Sequence, residues 1–363
     1  MLDNINKQRV LVAPLDWGLG HATRCIPIIQ ALLIQGHEVI LAADGAIATL
    51  LHTEFPSLEM LKLKGYHIKY AKTGIGLPFQ LIKQLPSLLK TIQDEHGWVE
   101  NQIEEKNIQL VISDNRYGLY SKKIPTVFIT HQLTIKTPFP ILDLLIQKIH
   151  YRFINRFKVC WVPDTKGLNN LGGELSHPKK LPAIPVKYIG LLSRCKKTIV
   201  PIQFQYCFLL SGPEPQRSIL EEKILAQITQ IDAPIVIIRG LPNASLNIET
   251  PANVIVYQHL SSEQLANTIA ASEWVICRSG YSSLMELIAL QKKKILIPTP
   301  GQTEQAYLAK KLHNQQMAYQ LPQSTLALWK DLDRATKTNQ QFPEMTFFNT
   351  NTLNGLLLAL QTM

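Results

Sequence analysis

The chain has 363 residues, 46% of them apolar, which is longer than one hydrophobic core usually fills, so two domains of roughly 180 residues are expected. Five scattered cysteines without a Cys-x-x-Cys pair argue against a disulfide framework or a zinc site, and the absence of any run of about 18 apolar residues argues against a membrane span. Of the formal charge of +10, about +8 lies between Lys62 and Lys158, where 15 Lys and Arg face 7 Asp and Glu; this suits anionic lipid or phosphorylated substrates, while the lack of a helix-turn-helix, zinc-finger or aromatic RNA-binding signature argues against a nucleic-acid partner.

In chain order, the polar start leads straight into a strand instead of a signal peptide, so the expected location is cytoplasmic. Arg9 to Pro14 (RVLVAP) is that strand, and Asp16-Trp17-Gly18-Leu19-Gly20-His21 turns the chain into a helix carrying Ile26, Ile29 and Leu32. The two glycines approach a dinucleotide fingerprint, but Thr23 stands where a third glycine belongs. His21 either caps this helix or points its imidazole at a ligand in the mouth of the sheet, where the helix N-terminus would keep it neutral and able to accept a proton; Arg24 follows close behind. Strands at Glu38 to Ala42 and Leu58 to Leu63 continue a βαβ pattern and imply a parallel sheet, with His37 and His52 read as surface histidines.

A long helix beginning near Thr73-Gly74-Ile75-Gly76-Leu77-Pro78 contains Pro86 and mixes leucines with Lys83 and Lys90, which fits either burial on the sheet or a basic amphipathic surface. Strands at Gln109 to Ser113 and Pro125 to Thr130 end in Asp114-Asn115-Arg116-Tyr117-Gly118 and His131-Gln132. Ligands of open α/β sheets sit outside the carboxyl ends of the strands, so Asp114 and His131 are candidate partners of His21. The helix Pro138 to Phe157 sets Leu142, Leu145, Ile146 and Ile149 against Lys148, Arg152 and Arg156. Short strands at Val159 to Val162 and Val186 to Ile189 follow, and Leu191 to Gln205 reads as a linker. The expected domains are 1–195, 196–345 and a terminal helix, 346–363, packing across the junction.

The second half repeats the pattern, with strands at Tyr206 to Leu210, Ile235 to Ile238, Val254 to Tyr257, Trp274 to Cys277 and Lys294 to Ile297. The strand ends carry Ser211-Gly212, Arg239, Arg278-Ser279-Gly280 and Gln302-Thr303-Glu304-Gln305. At Gly280 a strand turns tightly into a helix, whose free N–H groups and macrodipole favour an anion. Ser279, Ser282, Ser283 and Arg278 surround that point, and Glu286 lies about two turns into the helix, within reach of sugar hydroxyls attached to a phosphate. Such turns are common in α/β proteins, so the phosphate reading rests on the whole set. The Asp-x-Asp at Asp331 and Asp333 falls in a helix-like stretch, and no metal or other cofactor is expected.

Two such halves, with Gly18-Leu19-Gly20-His21 in the first and Cys277-Arg278-Ser279-Gly280, Glu286, Pro298 and Glu304-Gln305 in the second, resemble the GT-B glycosyltransferases of family 28, the MurG-like group. The resemblance implies an α/β fold of two Rossmann-like domains whose parallel sheets face an interdomain cleft. It implies that Glu286 holds ribose hydroxyls, that Ser211, Gly212, Ser279 and Gly280 contact a diphosphate, that Glu304 and Gln305 reach the donor sugar, and that His21 is a base or phosphate contact. Gly20, Ser282 and Gln302 join the donor-binding set as neighbours of those positions, and Arg278 or Arg239 would balance leaving-group charge. Here the first loop is Asp-Trp-Gly-Leu-Gly-His and the loop after the first strand of the second half is Ser-Gly-Pro-Glu-Pro-Gln-Arg, both less glycine-rich than the family's versions.

The expected activity is therefore metal-independent transfer of a hexose or N-acetylhexosamine from a nucleotide diphosphate, UDP first, to an acceptor hydroxyl. His21 takes its proton, and Asp114 or His131 orients His21. The expected acceptor is a glycan or a lipid-linked or cell-envelope sugar, and an anionic membrane surface is a candidate partner for a peripheral protein. Gly-Leu-Gly-His-Ala-Thr-Arg-Cys is also similar to the nucleotide-sugar hydrolase of pseudaminic acid synthesis. Hydrolysis of the same donor, or non-catalytic binding of a nucleotide sugar or glycan, are the alternatives.

Overall fold

A computed structural model describes residues 7–66, 77–137, 140–195, 197–241 and 248–362. The described residues divide into two compact units: one built from those up to Arg194 together with 344–362, the other from those between Cys195 and Pro343.

The first unit contains β1 (Arg9–Pro14), α1 (Leu19–Ile34), β2 (Glu38–Ala43), α2 (Gly45–Glu54), β3 (Glu59–Lys62), α3 (Leu77–Glu105), β4 (Leu110–Asp114), β5 (Thr126–Ile129), α4 (Pro140–Ile154), β6 (Val159–Val162) and β7 (Val186–Tyr188). Its seven strands form one parallel sheet in the order β3-β2-β1-β4-β5-β6-β7. Crossover helices cover both faces of such a sheet, which is why β1, β4, β5 and β6 are nearly continuous apolar runs. On one face Leu11, Ala13, Ile40 and Val111 pack against Val99 and Ile103 of α3. The chain winds outward from β1 to β2 and β3, then returns to β4 on the other side of β1, which places a topological switch point between β1 and β4.

The second unit contains β8 (Phe204–Leu209), α5 (Gln216–Leu225), β9 (Ile235–Ile238), β10 (Val254–Tyr257), α6 (Ser262–Ala270), β11 (Ser272–Cys277), α7 (Tyr281–Ala289), β12 (Lys293–Leu296), α8 (Thr303–Asn314), β13 (Tyr319–Gln320) and α9 (Leu328–Thr336). The order β10-β9-β8-β11-β12-β13 is again all parallel and reverses between β8 and β11. Alternate residues of these strands (Tyr206, Phe208, Ile235, Ile237, Trp274, Ile276) meet Leu220 and Ile224 of α5 and Leu328 and Leu332 of α9. Serine 261 starts α6 with a complete capping box to Gln264. The short β13 lacks an apolar run and is not visible in the sequence pattern.

The chain end returns to the first unit. Leu191 bridges Phe347, and α10 (Thr350–Gln361) buries Leu353, Leu356, Leu357 and Leu360, with Gln35 Nε2 donating to Thr350 O at 2.9 Å. Leu191 and Leu192 are fully buried, so the stretch read as a linker begins inside the first core. His37, read as a surface histidine, is buried and accepts from Gln8 N through Nδ1 at 3.1 Å; the preceding Gly36, at φ +79°, turns the ring under the start of β2, and only His52 is exposed as expected. All five cysteines are buried free thiols.

Candidate active site

At the switch point of the first sheet, β1 and β4 run in register to their ends, pairing Pro14 with Asp114. Leu15 N then donates to Asp114 O at 3.0 Å. The chain swings out through Asp16 and Trp17 to Gly18, whose φ of +82° reverses it into α1. His21 sits in the first turn of α1, and its Nδ1 is turned to the strand end at Asp114 and to Arg24. One turn later on the same face comes Arg24, fully buried.

Arg24 is the hub of the cluster. Its Nε donates to Asp114 Oδ2 at 2.7 Å, and its Nη2 makes a short ion pair with Asp114 Oδ1. The same Nη2 reaches His21 Nδ1 at 2.9 Å, and Nη1 reaches His131 Nδ1 at 3.0 Å. Asp114 Oδ2 lies 3.3 Å from His21 Nδ1 and accepts from Cys25 Sγ at 3.7 Å. The structure therefore brings His21, Asp114 and His131 together around an arginine whose role was not legible from its place in the chain. Its signal was the three-residue spacing from His21. Burial, then the Arg24 charge, hold His21 below its ordinary value. For Asp114, burial pushes upward, but Arg24 and His21 outweigh it and keep the carboxylate ionised.

A second buried network fixes the β4 loop. Arg116 Nη1 donates to Glu95 Oε1 at 2.6 Å and Nε to Pro14 O at 2.9 Å, while Tyr66 and Gly118 N donate to Glu95 Oε2. A side chain at Gly118 would run into Glu95 and Ile92 O, so this loop is locked against α3.

In the second unit Leu209, Cys277 and Leu296 are register partners, so the loops leaving β8, β11 and β12 emerge side by side at the other switch point. Arg278 ties them: Nη1 donates to Ile297 O at 3.1 Å and Pro298 O at 3.3 Å, and Nη2 to Gln216 O at 2.7 Å. Ser279 Oγ donates to Gln305 O at 2.8 Å, and Gln305 returns the contact by accepting from Thr299 N at 2.9 Å and donating to Gln302 Oε1. Gly280 is the N-cap of α7 with no side-chain cap, and Ser282 and the buried Glu286 lie in its first two turns. Ser211 is half-buried and Gly212, at φ +103°, exposed; Glu304 is half-buried in the first turn of α8.

Thr299 was not singled out by the sequence. It is 3% exposed, its Oγ1 has no hydrogen-bond partner, and a Cβ on Gly212 would stand 3.9 Å from it. A buried hydroxyl without a partner ordinarily marks an absent ligand or water. Arg278 Nη1 and Nη2 are bonded to backbone carbonyls, its buried Nε, like Thr299 Oγ1, has no hydrogen-bond partner, and burial lowers the group to about 10. Arg239 pairs with Glu221, donating to Oε2 at 3.0 Å, and with Gln258 Oε1 at 2.8 Å. Gly20 lies in the first turn of α1, in the first unit. Asp331 caps α9 by accepting from Ala327 N at 2.8 Å, and Asp333 pairs with Lys337 at 2.6 Å.

Residues 218–355 match the model of the glycosyltransferase family 28 C-terminal domain. The chain is 23% identical over 329 residues to an uncharacterized glycosyltransferase of Methanosarcina acetivorans, covering 82% of this chain and 81% of the relative. It is 25% identical over 293 residues to the UDP-N-acetylglucosamine–N-acetylmuramyl-(pentapeptide) pyrophosphoryl-undecaprenol N-acetylglucosamine transferase of Clostridium tetani, covering 77% and 75%. Among solved structures, Acinetobacter baumannii MurG superposes with a TM-score of 0.56 at 16% identity, covering 99% of this chain and 100% of that one. The spinosyn rhamnosyltransferase SpnG complexed with thymidine diphosphate gives 0.60 at 16% identity, covering 98% and 95%. Residues 218–355 thus form a glycosyltransferase family 28 C-terminal domain, and the chain is a glycosyltransferase of the GT-B fold.

Proposed function

We propose that the chain transfers a hexose or N-acetylhexosamine from a pyrimidine nucleoside diphosphate, UDP first, to the hydroxyl of a lipid-linked or envelope glycan. The observation that carries the donor side is the set of three adjacent strand-end loops around Thr299, with the glycine N-cap of α7 at Gly280 and an unpartnered buried hydroxyl beside Gly212. Amides of α7 and the Thr299 hydroxyl hold the diphosphate, Glu286 the ribose, and Glu304 the donor sugar. As the bond from the sugar C1 to the diphosphate breaks, its electron pair leaves on the diphosphate, and fixed dipoles stabilise that growing charge. Ser279, Gln302, Gln305 and Arg278 act by holding the loops, and Arg239 by fixing Glu221. The relatives support both pyrimidine bases, since one is named for UDP-N-acetylglucosamine and one was solved with thymidine diphosphate.

The lipid-linked acceptor is supported by α4, where Leu144 (75% exposed), Leu145 and Ile149 stand in solvent beside exposed Lys148 and Arg152. Apolar side chains flanked by cations suit the surface of an anionic bilayer. The sequence pattern set Leu145 and Ile149 opposite Lys148, whereas all three are exposed. Among the described residues no helix is long and apolar enough to cross a membrane.

Incubation with UDP-sugars labelled in the sugar, with and without a bacterial lipid extract, tests this reading. Label moving into the lipid fraction is the expected result. Stoichiometric release of free sugar without extract would show a hydrolase instead, and no turnover a binding protein.

A further inference from the structure

In the cluster at β1 and β4, His21 Nδ1 has two neighbours that make opposite demands. Asp114 Oδ2, at 3.3 Å, would require Nδ1 to carry a hydrogen. Arg24 Nη2, at 2.9 Å, requires Nδ1 to offer its lone pair. A guanidinium is always protonated and has no acceptor, so an Nδ1–H facing it would bring two hydrogens together. Asp114 does not need His21: Arg24 already supplies it with two hydrogen bonds, and Cys25 Sγ adds a third contact. A contact of 3.3 Å is also longer than an ordinary N–H···O bond. The same logic applies to His131, whose Nδ1 faces Arg24 Nη1 at 3.0 Å.

We infer that Arg24 is a positioning residue that sets the tautomer of both histidines, so that each carries its ring hydrogen on Nε2, and that His21 serves the reaction as a hydrogen-bond donor to an oxygen of the donor or acceptor, not as the base that takes the acceptor proton. This deepens the transferase reading above and rests on it for the word reaction, though the tautomer itself does not. The departing diphosphate gains the electron pair of the broken C1–O bond, the acceptor oxygen forms the new bond to C1, and the acceptor proton passes to solvent water. An Asp-His pair alone would do the opposite, since the carboxylate would hold Nδ1–H and leave a bare Nε2. The depressed titration of His21, caused first by burial and then by Arg24, agrees with a ring that stays neutral.

Nitrogen-15 NMR of the full chain labelled in histidine, without ligand and at neutral pH, reads each ring nitrogen as protonated or bare, with His21→Gln assigning the His21 signals. Nε2 protonated and Nδ1 bare is the expected result; Nδ1 protonated and Nε2 bare overturns the assignment. In Arg24→Lys one ammonium cannot span Asp114 and both rings, so His21 is expected to shift its hydrogen to Nδ1 and titrate at higher pH. Should that variant unfold, the wild-type spectrum alone decides. With UDP-sugar and lipid extract, His21→Gln, whose amide keeps an N–H near the Nε2 position, should lose about tenfold or less, the scale of one strained hydrogen bond. A loss of about 10²–10⁴, equal to that of His21→Ala, would mean a base and contradict the donor role. The expected tautomers without any sugar transfer would sink the transferase reading and leave Arg24's role intact.

Discussion

Arg24 and Asp114 are worth more as a pair than either is alone. Both are essentially inaccessible to water, and a buried charge that loses its partner costs about 3–5 kcal/mol. Asp114→Asn should lower unfolding stability by that amount in denaturant titrations, because Arg24 would stay buried with one charged acceptor gone. His150 gives a pH dependence of its own. Burial lowers it to about 4, against the bond from Nε2 to Gln132 O. Between its ordinary value near 6.5 and that value, the unfolded chain binds a proton the folded chain refuses. This contribution to stability is therefore complete above about pH 6.5 and declines as pH falls toward 4, and His150→Phe should flatten the slope of unfolding free energy in that window. At this scale the sequence showed which polar residues stand at strand ends, but not which of them are spent. Ser279, Gln305 and Arg278 also hold neighbouring loops together, which their place in the chain does not show, and Arg24 looks secondary until its fork is found on three partners. Residue type and position carry no information on bond direction, and that decided each case.

Loops and helix faces set what can bind. Gly212 holds a left-handed φ of +103° directly over Thr299. Gly212→Ala should cost about 1–2 kcal/mol of local strain and weaken UDP affinity several-fold, measured by calorimetry, with the fold retained. On α4, Leu144→Asp with Leu145→Asp should abolish cosedimentation with vesicles containing phosphatidylglycerol while leaving UDP binding unchanged. The strands were the easiest elements to read, because a parallel sheet covered on both faces demands unbroken apolar runs, as in Arg9–Pro14 and Ile235–Ile238. α4 was harder to read, since periodicity finds an apolar stripe but does not say that a neighbour covers it. Thr299 lies between the motif positions Pro298 and Glu304 without being one of them, and its unpartnered buried hydroxyl is what draws attention to it.

The whole chain repeats one plan twice, a parallel sheet whose strand order reverses beside its first strand, with the polar residues of each unit gathered at that reversal. That plan was legible because two strand-turn-helix openings, at Gly18 to His21 and at Arg278 to Gly280, both follow apolar runs and both spend glycine and polar residues where a structural turn needs fewer. The acceptor was not legible, since a basic solvent-facing helix and a membrane-docking one share a composition. Sugar transfer of this kind requires the second unit to hold a nucleoside diphosphate. Calorimetric titration of UDP into the full chain and into Glu286→Ala tests that directly: saturable binding to the natural chain is expected, weakened roughly tenfold or more in the variant, as when a charged hydrogen-bond acceptor is lost. Equal affinity in the two proteins, or no binding of UDP or thymidine diphosphate to the natural chain, would contradict it.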